Sequence, residues 1–156
     1  MRTIIAHESP RQADIEALLA LSAQDAQSLY PPESNFLLGV DELEQPGVRF
    51  YAARDEFGRA LGIAALVPLA SSLPGDTAEL KRLFVHPDGR GAGVATALLD
   101  RIETDAGARG FRELVLETGP QSQAALALYR RHGYREIPLF GQYVGEEFSV
   151  CFAKAL

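Results

Sequence analysis

The sequence predicts a single α/β (α+β) domain, residues 1–156, with a mixed central sheet covered by helices. Three observations carry that expectation. The chain has 156 residues, enough for one substantial core and too few for two ordinary domains. Its first half holds apolar runs bounded by turn signals, which read as consecutive strands. Its second half alternates strand and helix patterns, and strands joined through a helix run parallel with a right-handed crossover.

Taken in order, Ser9-Pro10 reads as a helix start. Ser9 can cap free backbone N–H groups, Pro10 suits the first helical position, and Gln12 completes a capping box. Ile15, Leu18, Leu19 and Ser22 then share one face, and the helix runs to about Gln27. Leu29 to Asn35 contains Pro31-Pro32 and reads as a proline-broken loop, the kind of segment that carries substrate contacts or merely connects. Val48 to Arg54 and Ala60 to Leu69 form a hairpin around Asp55-Glu56-Phe57-Gly58. Ser71 to Asp76 is a turn-rich link, and Ala78 to His86 is the third strand of the run. A long helix from about Gly91 to Ala108 places Leu98, Leu99 and Ile102 inward and stops at Gly110. Phe111 to Thr118 is a strand, Gln121 to His132 a helix, and Tyr134 to Ile137 and Phe148 to Lys154 the last strands. No internal repeat and no low-complexity tract is visible.

Composition narrows the function classes. Hydrophobic content of 47% and charged content of 23% are those of a soluble globular protein. No apolar run approaches the ~20 residues that span a bilayer, and the first residues lack a secretory pattern. Cys151 is the only cysteine, so no internal disulfide can form, which fits a reducing, cytoplasmic setting. A net charge of −6 without a basic block argues against nucleic acid as partner and favours tolerance of a cationic or amine substrate. His86 and His132 stand alone, without ligand partners at useful spacing, so no metal site is expected. The sequence leaves a homodimer open.

The strongest chemical signal is Val85-His86-Pro87-Asp88-Gly89-Arg90-Gly91-Ala92-Gly93-Val94-Ala95. A strand ends, a glycine-rich turn follows, and a helix begins. The first helical N–H groups have no internal partners, and the helix dipole adds positive character, so the junction suits a phosphate. A Walker loop would need Gly-Lys-Ser/Thr where Gly93-Val94-Ala95 stands. A dinucleotide fingerprint fails at Val94 or at Thr96, depending on where it starts.

Arg90-Gly91-Ala92-Gly93-Val94-Ala95 resembles the Q/R-x-x-G-x-G/A pyrophosphate motif of the GNAT acetyltransferase superfamily. Ala125-Leu126-Ala127-Leu128-Tyr129-Arg130-Arg131-His132-Gly133-Tyr134 is similar to that family's A-hydrophobic-x-L-Y-x-x-x-G-F/Y segment. The two motifs stand in the expected order, and the resemblance covers nearly the whole chain. It implies the GNAT fold, a mixed central sheet of six to seven strands flanked by about four helices, and acetyl-CoA as co-substrate. It implies that Arg90 to Thr96 hold the pyrophosphate, that the backbone of Leu83, Phe84 and Val85 pairs with the pantetheine arm, and that Tyr129 protonates the departing thiolate. Ser122 stands where the family often has a cofactor-contacting Asn and can still hydrogen-bond.

Amine acetylation needs a neutral amine, and a carboxylate can accept its proton. Glu79 opens the core strand, where several acetyltransferases of this type use a glutamate; it is read either as that base or as a solvated strand end. Lys81 and Arg82 are adjacent, and adjacent strand residues point to opposite faces. Arg82 is the candidate clamp for a substrate carboxylate, with a structural ion pair as the alternative. Arg130 or Arg131 can meet a CoA phosphate. The acceptor is expected from the side of Tyr30, Glu33 and Gly141-Gln142-Tyr143, and Cys151 is assigned to the core. The reading is acetyl transfer to a primary amine of a small molecule within a ternary complex. Its rivals are a CoA-binding module without catalysis and an enzyme acting on a protein amine.

Overall fold

A computed structural model of the chain describes residues 2–69 and 76–156. Residues 71–75 of the expected turn-rich link lie outside the described residues. The described strands form one mixed sheet: β1 (Thr3–His7), β2 (Arg49–Asp55), β3 (Ala60–Pro68), β4 (Thr77–Val85), β5 (Glu113–Thr118), β6 (Arg135–Ile137) and β7 (Val150–Ala155). Their order across the sheet is β1-β2-β3-β4-β5-β7-β6, and only β4 with β5 is parallel. The helices are α1 (Ala13–Leu29), α2 (Val40–Leu43), α3 (Val94–Ala108) and α4 (Gln123–Arg131). The expected right-handed unit is therefore β4-α3-β5.

Alternation along the strands sorts side chains to the two faces. One face carries Tyr51, Ala64, Leu66, Leu80, Leu114, Leu116 and Phe152, packed under α3 and α4. The other carries Phe50, Ala52, Ile63 and Ala65 under α1. Ile15, Leu18, Leu19 and Ser22 are the buried residues of α1, as their spacing requires. Leu98, Leu99 and Ile102 of α3 are fully buried, and truncating any one to Ala should cost about 2–5 kcal/mol. Gly62 of β3 fixes where α3 rests. A Cβ there would lie 2.8 Å from Val94 and 3.0 Å from Leu98, so only glycine lets the start of α3 sit against the sheet. That seating aims the α3 N-terminus at the end of β4.

The structure differs from the sequence reading at the N-terminus. β1 precedes the first helix, at a place where the sequence showed no element. It is a five-residue edge strand with half-exposed Ile4, too short and too weakly buried to stand out. The first helix begins at Ala13, not at Ser9-Pro10, and its N-cap Gln12 makes no side-chain cap. The Ser9 hydroxyl instead accepts from Arg11 N–H at 3.0 Å, closing a tight turn between β1 and α1. The short helix α2 was likewise not visible in the pattern.

Candidate active site

β4 and β5 pair only from Thr77–Glu113 to Leu80–Leu116, yet β4 continues to Val85 and β5 to Thr118. Beyond Leu80 the two strands part, and the backbone of residues 81–85 has no strand partner on that side. A cavity of about 850 Å³ opens in this gap, near the top of the usual range for ligand sites.

One end of the cavity is the loop before α3. Among the described residues, the N–H groups from Gly91 to Thr96 meet no acceptor within the protein. Gly91 and Gly93 have φ of 77° and 79°, a left-handed conformation that side chains disfavour, and a Cβ on either would enter open space. The loop thus offers backbone donors at a helix N-terminus with no side chain in front of them, as an anion requires. Gly89 has a different task. It is buried, and a Cβ there would press on Leu61 at 3.2 Å, so it seats the turn against β3.

Most predicted cofactor residues line this cavity: Leu83, Phe84, Val85, Arg90, Gly91, Gly93, Val94, Ala95, Thr96 and Ser122 do, and Ala92 does not. The Arg90 side chain folds back to donate to the Val85 carbonyl at 3.3 Å. Of the two arginines ending α4, Arg131 lines the cavity, while Arg130 turns toward Glu136 on β6.

Tyr129 also lines the cavity, from the α3/α4 side. Its ring packs on Tyr134 and Phe152, and its hydroxyl has no hydrogen-bond partner among the described residues. Burial, reinforced by the Glu117 charge, raises its pKa and keeps the phenol protonated.

Glu79 sits elsewhere. It is buried on the α1 face, outside the cavity lining, and its carboxylate accepts from the Tyr143 hydroxyl at 2.6 Å. Lys81 Nζ donates to the same hydroxyl at 2.7 Å and lies 3.7 Å from the carboxylate. Glu79, Tyr143 and Lys81 form a closed, buried relay. Desolvation raises the Glu79 pKa, with the Lys81 charge opposing. Tyr143 is therefore a wall support behind the cavity, and Glu33 is exposed outside it.

Two carboxylates do line the cavity, Asp25 of α1 and Glu117 near the end of β5; Glu117 is the one beside the β4–β5 gap. It takes one hydrogen bond, from Ser149 Oγ to Oε2 at 2.8 Å, and Oε1 has none among the described residues. Burial raises its pKa as well. The sequence reading did not single it out. Its signal was available in the alternation: Leu114 and Leu116 fill the α3 face, so Glu117 must turn to the other.

Lys81 and Arg82 break the expected alternation. Arg82 has φ of 57°, and the β3–β4 register shifts beside it, so a bulge turns both side chains to the α1 face. The Arg82 guanidinium donates to Leu19 O at 2.9 Å, Leu38 O at 2.8 Å and Ser22 Oγ at 2.8 Å. It holds α1 and the segment before α2 onto β4, and no carboxylate among the described residues pairs with it.

Tyr30 crosses the mouth of the cavity. Its hydroxyl bonds Ser122 Oγ at 2.8 Å and accepts from Gln121 N–H at 3.1 Å. It lies flat on Gly119, where a Cβ would fall 1.9 Å from the hydroxyl oxygen, so this closure requires glycine at 119. Cys151 is buried in the sheet, and desolvation pushes its thiol up to about 11, which leaves it a poor nucleophile.

A parallel pair that splays beside an anion-binding helix start, around a cavity with an unbonded phenol and a carboxylate, defines the class of protein as an acyltransferase. The comparisons agree. A model described as the acetyltransferase (GNAT) family matches residues 15–134. The chain is 38% identical over 152 residues to an "IAA acetyltransferase" of Azospirillum brasilense, covering 97% of each chain. It is 33% identical over 131 residues to the uncharacterized N-acetyltransferase YedL of Escherichia coli, covering 83% of this chain and 79% of that one. A solved structure of a candidate acyl-CoA N-acyltransferase from Klebsiella pneumoniae superposes with a TM-score of 0.79 at 30% identity, covering 99% and 97% of the two chains. The chain belongs to the GNAT acetyltransferase family.

Proposed function

We propose that the protein transfers the acetyl group of acetyl-CoA to the amine of a small molecule by direct attack within a ternary complex. The observation that carries this is the β4–β5 gap. It opens to both faces of the sheet, with Tyr129 on the α3/α4 side and Glu117 on the α1 side.

The co-substrate would supply an activated thioester carbonyl, and the residues present fit it. Free N–H groups from Gly91 to Thr96 suit its pyrophosphate. The β4 backbone from Leu83 to Val85, which has no strand partner on the β5 side, suits its amide-bearing arm. Ser122 is offered for an arm contact once it exchanges its bond with Tyr30.

Glu117 then takes a proton from the incoming ammonium, either directly or through one water, and leaves a nucleophilic lone pair. Nitrogen bonds the carbonyl carbon as the carbon–sulfur bond breaks. Tyr129 delivers its phenolic proton to the departing thiolate, and the second proton of the attacking nitrogen, released as the amide forms, restores the phenol directly or through water. A CoA thiol has an acidity near that of free cysteine, so a phenol can share a proton with it. Raised pKa values suit both roles: the carboxylate becomes a stronger base and the phenol stays protonated. In this reading Glu79, the base expected from sequence, serves as the counter-charge of Lys81. Arg82 serves as a strut for α1 and not as a substrate clamp.

The test is release of free thiol from acetyl-CoA with a panel of amines. Amine-dependent release that falls in Tyr129→Phe supports the reading. Binding of acetyl-CoA with no release for any amine would favour the rival, a CoA-binding module without catalysis.

A further inference from the structure

The acceptor end of the cavity has a charge balance and a surface that together restrict what can sit there. Two cations lie on its wall, and both are engaged. Lys81 is tied to Tyr143 and Glu79. Arg82 is tied to two backbone carbonyls and Ser22. Neither is free for a second anionic group on the acceptor. Glu117 is the one carboxylate on this wall, with an oxygen open to the cavity. Glu146 lies near enough to raise the Glu117 pKa but is not part of the lining. Asp25 lines the opposite end, grouped with Phe84 and Arg90.

Beside polar Ser34, Asn35 and Thr118, this wall carries a cluster of large apolar and aromatic side chains. Tyr30, Phe36, Leu37 and Phe148 line it. Leu37 is 36% exposed there, among the few large apolar side chains of the described residues open to solvent. The Tyr30 and Phe148 rings stand 6.2 Å apart at 55°, and Phe36 packs edge-on against Tyr143 at 5.0 Å. Aromatic faces and edges presented this way favour another ring or an alkyl chain over a polar body.

We propose that the acceptor is a monoamine carried on an apolar, aromatic-sized body, with its ammonium at Glu117 and its body between Phe36, Leu37 and Phe148. This rests on the acetyl-transfer reading and narrows it. A polyamine or an aminoglycoside would need further carboxylates for its further ammonium groups. A free amino acid would bring a carboxylate beside Glu117, where Lys81 and Arg82 are both engaged; Arg131 stands at the end of α4, next to the His132 that meets Thr96 of the glycine-rich loop. Either arrangement leaves a charge desolvated without a partner, which weakens binding.

The experiment compares phenethylamine, putrescine and phenylalanine as acceptors, by thiol release and by calorimetric binding in the presence of CoA. Phenethylamine is expected to exceed both others by about tenfold or more in kcat/KM and in affinity, since one mismatched charge is worth at least a factor of ten. The Leu37→Asp variant adds a second carboxylate at an exposed position. It should shift the ratio toward putrescine by about tenfold. A native preference for putrescine or phenylalanine, or no measurable amine binding at all, overturns the proposal. Selective binding of phenethylamine without thiol release would overturn acetyl transfer instead and leave the ligand class standing.

Discussion

The two ends of the cavity are built in opposite ways. The end proposed for the phosphates comes from one unbroken stretch, residues 83–96, and offers backbone N–H groups. The end proposed for the acceptor is assembled from side chains of distant segments. Glu117 is oriented by Ser149 across 32 positions, and Tyr30 is fastened to Ser122 across 92. Backbone donors tolerate any side chain that stays out of the way, so the first end depends on glycine placement. The second depends on which side chains meet, and single changes there should alter rate and choice more than co-substrate binding.

The sharpest test of that contrast is Gly93→Asp. A carboxylate about 4 Å from a phosphate charge near the surface costs ~4 kcal/mol, or about 1,000-fold in affinity. Calorimetry should show acetyl-CoA binding lost at that scale with the fold retained. Unchanged binding would remove the loop from the phosphate end.

Next in size is Tyr129→Phe, which keeps the ring packed on Tyr134 and Phe152 and removes the hydroxyl. Turnover should fall between about 100- and 1,000-fold, within the usual range for general acids. Acetyl-CoA affinity should hold within about fivefold, since one neutral hydrogen bond is worth ~1 kcal/mol. The loss should shrink with a thioester whose thiol is more acidic. Native turnover would reduce Tyr129 to a packed aromatic.

In the proposed reaction the two glutamates divide the acceptor side into chemistry and support. Glu117 must be ionised to take a proton, and burial raises its pKa. For native protein, kcat/KM should therefore climb with pH through a region above the ordinary carboxylate range. Tyr129, raised above the usual phenol value, adds no descending limb below it. Glu117→Gln should lower kcat/KM by about 100-fold, the lower end for a general base, and flatten that climb. Glu79→Gln should act on stability instead. It strips the buried Lys81 of its counter-charge, at ~3 kcal/mol, visible as a lower melting temperature with a smaller change in rate. The reverse pattern would restore Glu79 as the base.

The mildest change is Tyr30→Phe. It removes the bonds to Ser122 Oγ and Gln121 N–H while the ring stays on Gly119. A shift of about fivefold in acceptor KM is expected from a hydrogen bond of ~1 kcal/mol. A larger fall in acetyl-CoA affinity would place this contact in the co-substrate end.

By itself the sequence determined what is local or periodic. The helical spacing of Ile15, Leu18, Leu19 and Ser22, the strand runs and the β4-α3-β5 unit follow from repeat patterns. The donor loop follows from glycines next to a helix start, because a phosphate cradle is made by neighbours in the chain. Tertiary structure decided the rest. The bulge at Arg82 put two adjacent cations on one face, against the period-two rule, and only the β3 register shows it. Glu79 and Glu117 look alike in sequence, as glutamates in neighbouring strands. They part because Tyr143, 64 residues along the chain, closes over the first and leaves the second open to the gap. Which carboxylate meets solvent and substrate is set by what covers it, and cover comes from segments that no local pattern connects.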